Sequence, residues 1–126
     1  MIVDSNILIY AARPEHAFLL DWLESAPHRI SAISYVEIFG FPGLDVDEQE
    51  ALELIFLKMP VIKLTDDVLD KAVELLRRKR MSLGDSIVAA TALLHRGVLA
   101  TANEKDFKNI PGLNVFNPMS MNSAVP

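Results

Sequence analysis

Short apolar runs that alternate with stretches of helical spacing constrain this chain more than any other feature. Residues 1–3, 29–33, 61–64, 98–101 and 114–116 read as strands. Between them, side chains recur at helical intervals: Phe18, Leu19, Trp22 and Leu23; Leu52, Ile55, Phe56 and Met59; Val68, Leu69, Ala72 and Val73; Ile87, Ala90, Thr91 and Leu94. Strands that alternate with helices predict an α/β fold, a mainly parallel sheet covered on both faces.

Local signals place the helix ends. The first strand turns through Asp4, Ser5 and Asn6 into a helix over 7–12, and Pro27 stops the helix over 14–26. A short helix begins near Ser34, contains Glu37, and ends at Gly40, Pro42 and Gly43. The helix over 46–59 is apolar on more than one face, as expected of a deeply buried helix or one that reserves surface for a partner. Thr65 and Ser82 are expected to cap the next two helices, and Gly97 suits the position past the end of the second.

The 126 residues fit a single domain, expected over 1–118 with 119–126 as a tail, and 51% hydrophobic content supports one substantial core. No apolar run approaches the ~20 residues of a bilayer span, and the chain opens on a strand rather than a leader. The expectation is a soluble cytoplasmic protein with no membrane partner. Without cysteine there is no disulfide and no thiolate metal site, so any metal is held by oxygen or imidazole. His16, His28 and His95 lack a paired spacing and read as packing or surface residues.

A net charge of −5 argues against a broad electrostatic grip on nucleic acid. Four of the twelve basic residues, however, are consecutive: Arg77, Arg78, Lys79 and Arg80. Such a run can hold a phosphate backbone. Equally, it can complement the dipole at a helix's end and stay solvated.

Four carboxylates, Asp4, Glu37, Asp85 and Asp106, each lie where an apolar run begins or ends. In open α/β sheets, ligands bind beyond the carboxyl ends of the strands, where Asp4 sits. Each acid also has a structural reading. Ser34-x-x-Glu37 and Ser82-x-x-Asp85 match a capping box, Asn103-x-x-Asp106 is a looser version, and Asp4 can cap its own helix. Gathered at one sheet edge, the four would repel: two charges ~4 Å apart cost roughly 1 kcal/mol in water and about 4 kcal/mol at an effective dielectric near 20. Either some are protonated or a cation is present. A hard ion such as Mg²⁺ or Mn²⁺ suits all-oxygen ligation.

Val3-Asp4-Ser5-Asn6, Ser34-Tyr35-Val36-Glu37, the stretch from Leu83-Gly84-Asp85 to Ala92, and Thr101-x-Asn103-x-x-Asp106-Phe107 resemble the successive motifs of PIN-domain ribonucleases. The likeness is specifically to the small VapC-type toxins of type II toxin–antitoxin systems, and it runs from Asp4 to Phe116. It implies a PIN-like three-layer α/β/α fold with a five-stranded parallel sheet ordered 3-2-1-4-5. It further implies an endoribonuclease dependent on Mg²⁺ or Mn²⁺, which hydrolyses RNA with metal-activated water and leaves 5′-phosphate and 3′-hydroxyl ends. A cognate antitoxin and a homodimer are the expected protein partners.

Carried over by position, Asp4, Glu37, Asp85 and Asp106 are the catalytic acids, with Asp4, Asp85 and Asp106 on the metal. Asn6, Thr101 and Asn103 become supporting polar groups that orient the carboxylates. Some members place an acid where this chain has Asn103, so either Asn103 or Asp106 faces the metal. Arg77, Arg78, Lys79 and Arg80 are the RNA-binding candidates. Two other classes fit the same residues: a catalytically silent PIN-like binding or regulatory module whose acids only cap helices, and a phosphoryl-transfer domain built on Asp4.

Overall fold

The computed structural model describes residues 1–124. All five apolar runs form strands, four of them shorter than the runs themselves: β1 (Ile2–Val3), β2 (Ile30–Ser31), β3 (Val61–Ile62), β4 (Val98–Ala100) and β5 (Asn114–Phe116). The helices are α1 (Ser5–Ala11), α2 (Phe18–Glu24), α3 (Ala32–Phe39), α4 (Val46–Lys58), α5 (Asp66–Arg78), α6 (Leu83–Leu94) and α7 (Glu104–Phe107).

Every strand pairing is parallel. β1, β4 and β5 form one ladder, in which Val3 stands opposite Ala100 and Leu99 opposite Val115. β2 and β3 form another. A parallel bridge between Ile2 and Arg29 links the two, with the Val3 amide donating to the Arg29 carbonyl at 3.0 Å. The expectation of one five-stranded sheet is therefore met in part, as a three-stranded and a two-stranded sheet. The reason is local. Asp4 and Ser31 cap helices immediately after β1 and β2, which leaves those strands two residues each and little room for a continuous ladder.

Strand alternation divides the apolar residues between two cores. Val3, Ile30 and Ala100 face one core with Ile7 and Leu8 of α1, Leu19 and Trp22 of α2, Ile38 of α3, and Leu52 and Ile55 of α4. Ile2 and Leu99 face the other with Val68, Ala72 and Leu75 of α5, Ile87 to Ala90 of α6, and Phe107 of α7. The result is three layers, helices on either side of parallel strands. Each fully buried Leu or Ile contributes about 1.5–3 kcal/mol to holding the strand edges in place.

Caps fall largely where the sequence puts them. The Thr65 hydroxyl accepts from the Val68 amide at 3.4 Å and the Ser82 hydroxyl from the Asp85 amide at 3.1 Å. α3 differs: it starts at Ala32, because the Ser31 hydroxyl accepts from the Ile33 amide and turns Ala32 and Ile33 out of the strand. The stretch 14–26 also divides, into a 3-10 turn at Pro14–His16 followed by α2. α4 buries Leu52 and Ile55 against the first core, as does Met59 just past its end, yet Leu54 and Leu57 are 61% and 82% exposed, so it is not buried all round. The segment expected as a tail forms a 3-10 helix over Pro118–Ala124, and Met119 packs on the first core. Residues 125–126 lie outside the described residues. Among those described, no helix is long and apolar enough to cross a membrane.

Candidate active site

The register of β1 and β4 builds the centre of the site. Val3 pairs with Ala100, so the next residues, Asp4 and Thr101, emerge side by side at the carboxyl edge. Both are buried. The Thr101 hydroxyl donates to Oδ2 of Asp4 at 2.8 Å, and the Ser5 amide donates to Oδ1 at 2.9 Å. Asn6 lies across the pair: its Nδ2 is 3.4 Å from Asp4 Oδ2 and 3.4 Å from Thr101 Oγ1, and its Oδ1 accepts from the Ala102 amide at 3.3 Å. Thr101 Oγ1 also accepts from the Asn103 amide at 3.0 Å. One carboxylate is thus fixed by groups from both adjacent strand ends.

Glu37 reaches the site from α3. The start of that helix at Ala32 puts Ser34 inside it, with a buried hydroxyl that has no hydrogen-bond partner among the described residues. Ser34 is therefore not the cap of a Ser34-x-x-Glu37 box, and that structural explanation for Glu37 falls. Its carboxylate lies instead against Gly84: a Cβ on Gly84 would be 2.7 Å from Glu37 Oε2. Gly84 is a site residue that the motif contains but that residue chemistry alone does not single out. The available signal is a glycine placed between the Ser82 cap and Asp85.

Asp85 stands in the first turn of α6, where its amide completes the Ser82 cap. Asp106 is exposed on α7, with its amide bonded to the Asn103 carbonyl at 3.1 Å. Asn103 precedes α7 and gives it no side-chain cap.

Electrostatics tie the four together. Burial, chiefly, pushes Asp4 above the ordinary carboxylate range, with further upward pressure from Asp85 and Asp106 and opposition from Thr101 and Ser5. Burial also raises Glu37, followed by the charges of Asp4 and Asp85. Asp85 is raised by burial and by Asp106, while its hydrogen bond with Ser82 opposes. Asp4 and Asp85 are thus the pair whose fields join Glu37 on one side and Asp106 on the other. No Lys or Arg offsets these three carboxyls among the described residues.

The acids are not drawn into a closed shell: among the described residues, no three of His, Asp or Glu form a ready-made ligand cluster. Carboxylates offer only oxygen donors, the ligand type that hard ions such as Mg²⁺ and Mn²⁺ prefer. Mg²⁺ typically takes one or two carboxylates, keeps several waters and is completed by substrate phosphates. Two surface concavities along α5, one lined by Asp70, Glu74 and Arg77 and the other by Lys79, Asn109 and Ile110, include none of the acids.

The four residues of the basic run differ in their surroundings. Arg77, Arg78 and Arg80 are exposed, and Arg78 pairs with Glu74 at 3.5 Å. Lys79 instead donates to the backbone carbonyls of Asp106 and Lys108. Two of the three histidines pack: His28 is buried and stacked on Trp22 at 4.4 Å, and His16 meets the edges of Tyr10 and Phe18.

The PIN domain family model matches residues 1–113. A chain in a toxin–antitoxin complex from Klebsiella pneumoniae is similar at 33% identity, over 93% of this chain and 96% of that one, with a TM-score of 0.73. VapBC2 from Rickettsia felis, solved on a promoter DNA fragment, aligns at 23% identity and TM-score 0.74 over 92% and 96%. FitAcB from Neisseria gonorrhoeae aligns at 22% and 0.73 over 94% and 97%. No curated protein matches significantly. The resemblance to VapC-type PIN proteins carried by the four motifs is borne out, and the chain belongs to the PIN domain family.

Proposed function

We propose that this chain is an endoribonuclease dependent on Mg²⁺ or Mn²⁺, acting in the cytoplasm as the toxin of a toxin–antitoxin pair. The observation that supports the reading is the mutual electrostatic pressure among Asp4, Glu37 and Asp85, to which Asp106 adds, with no Lys or Arg among the groups that act on those three. Repulsion of that kind costs stability and is relieved by a cation. Asp4, Asp85 and Asp106 would hold it.

A divalent cation, when bound, supplies Lewis-acid stabilisation for charge on phosphoryl oxygens and makes water acidic enough to act near neutral pH. The protein supplies the rest. Thr101, Ser5 and Asn6 hold Asp4 in one orientation, and the Ser82 hydroxyl accepts from the Asp85 amide, fixing its backbone. Glu37, exposed and with raised proton affinity, can take a proton at its carboxylate from water beside the scissile phosphate. The Asn103 backbone amide donates to Thr101, and Asp106 is taken as the fourth acid. Arg77, Arg78 and Arg80 are exposed and are the candidates to take the RNA backbone.

The partner reading rests on the toxin–antitoxin neighbours and on exposed apolar surface. Leu54 and Leu57 of α4, and Tyr35 and Val36 of α3, are large apolar side chains left in solvent. They offer a face for an antitoxin or a second copy of this chain.

The experiment is cleavage of total RNA by the purified full chain in Mg²⁺ or Mn²⁺, compared with Asp4→Asn and Asp85→Asn. Metal-dependent cleavage that both variants lose while melting as folded proteins is the expected result. Wild-type rates in both variants would remove these acids from catalysis, and no cleavage by the intact chain would favour a silent binding module.

A further inference from the structure

We propose that Lys79 is a positioning residue of the acidic site, which clamps the segment carrying Asp106, rather than one more cation of an RNA-binding run. The inference rests on the reading of Asp106 as a site acid.

The sequence gives Lys79 the same neighbours as its three companions, but the fold separates it. It is the residue at which α5 ends, with φ −143° and ψ 139°, so its backbone has left the helix that carries Arg77 and Arg78. Its ammonium donates to the carbonyl of Asp106 at 3.3 Å and to that of Lys108, contacts that span 27 and 29 residues of sequence.

Those carbonyls need a partner. α7 is only four residues long, well below the length at which a helix persists unaided, and Asn103 gives it no side-chain cap. Carbonyls at a helix's last turn lack intrahelical donors, and a cation there satisfies them and complements the dipole. One side of α7 is already fixed, since Phe107 is buried in the second core. The chain then turns at Asn109, whose φ is 67°. Asp106 is exposed next to that anchor, so the position of its carboxylate depends on the α7 backbone, and Lys79 is bound to the backbone of Asp106 itself. Two of the three ammonium protons are engaged this way, which leaves Lys79 poorly suited to hold a phosphate as well.

The test compares the full-length wild type with Lys79→Met, which keeps an unbranched stem without the charge, and Lys79→Arg, which restores donors. Lys79→Gln replaces the first should it fail to fold. The first readout is hydrogen exchange of the amides of residues 104–110 without metal or RNA. Loss of the clamp predicts faster exchange there by about tenfold or more, confined to that segment, with Lys79→Arg near wild type. The second is Mn²⁺ binding followed by electron paramagnetic resonance. Lys79→Met should weaken it on the order of ten- to a hundredfold, and should have no further effect in an Asp106→Asn background.

Unchanged exchange in Lys79→Met would overturn the proposal. So would unaltered Mn²⁺ affinity with a salt slope for RNA binding reduced by about one charge, because that pattern makes Lys79 a phosphate contact. A wild type that binds no Mn²⁺ would instead refute the metal reading, and the exchange rates would still decide whether Lys79 holds the segment.

Discussion

Thr101 donates its hydroxyl proton to Oδ2 of Asp4 at 2.8 Å, joining residues 97 apart in the chain. The parallel register of β1 and β4, with Val3 opposite Ala100, brings the two residues side by side. It also makes Thr101 the hub of the site, because the same oxygen accepts from the Asn103 amide and lies beside Asn6.

Thr101→Val keeps the shape and removes that hub. Asp4 loses a donor while buried, and the Asn103 amide loses its acceptor, so the fold should lose about 1–3 kcal/mol. Urea unfolding measures the loss, with Thr101→Ser expected near wild type. Equal stability of Thr101→Val and wild type would show that the hydroxyl is not a structural donor to Asp4.

Gly84→Ala separates stability from activity. The new Cβ would meet the end of the Glu37 side chain at 2.7 Å, and a flexible carboxylate can move away. Folding should stay within about 1 kcal/mol of wild type, since alanine is also the better helix former. Cleavage should fall on the order of ten- to a hundredfold, because a misplaced acid costs that much even when the fold is intact. Parallel melts and cleavage rates check the split, and unchanged cleavage would show that Glu37 does not need the space beside Gly84.

The alternation of strands and helices and the caps at Thr65 and Ser82 were legible in the sequence, because apolar spacing and capping chemistry are local signals. Three features were not. Ile33 closes a run, bracketed with Ile30, that reads as strand, so the Ser31 cap and the true start of α3 were hidden. Four consecutive basic residues look equivalent until the end of α5 sends Lys79 to the α7 carbonyls. The break between the two ladders arises from caps that shorten β1 and β2, and it follows only once pairing is known.

The acidity of the site fixes the sign of a pH effect. Asp4, Glu37 and Asp85 bind protons more tightly folded than unfolded, through burial first and mutual repulsion second. Such groups stabilise the fold fully below the unfolded carboxylate value near ~4 and lose that contribution as pH rises through their raised folded values. His28, pushed down mainly by burial, acts oppositely, its contribution being lost as pH falls through the ordinary histidine range. Comparison of wild type with Asp4→Asn cancels the histidine. Thermal melts across acid to neutral pH should show a shallower decline with rising pH in Asp4→Asn, and Mn²⁺ should stabilise wild type more at neutral than at acid pH. Superimposable pH profiles would contradict the raised Asp4.

The most direct test of the central claim is the affinity of the metal-free chain for Mn²⁺, measured by electron paramagnetic resonance for wild type, Asp4→Asn and Asp85→Asn. If the uncompensated acids form one cation site, wild type binds and each variant, still folded, binds at least about tenfold more weakly. Equal affinity in all three proteins would contradict the account.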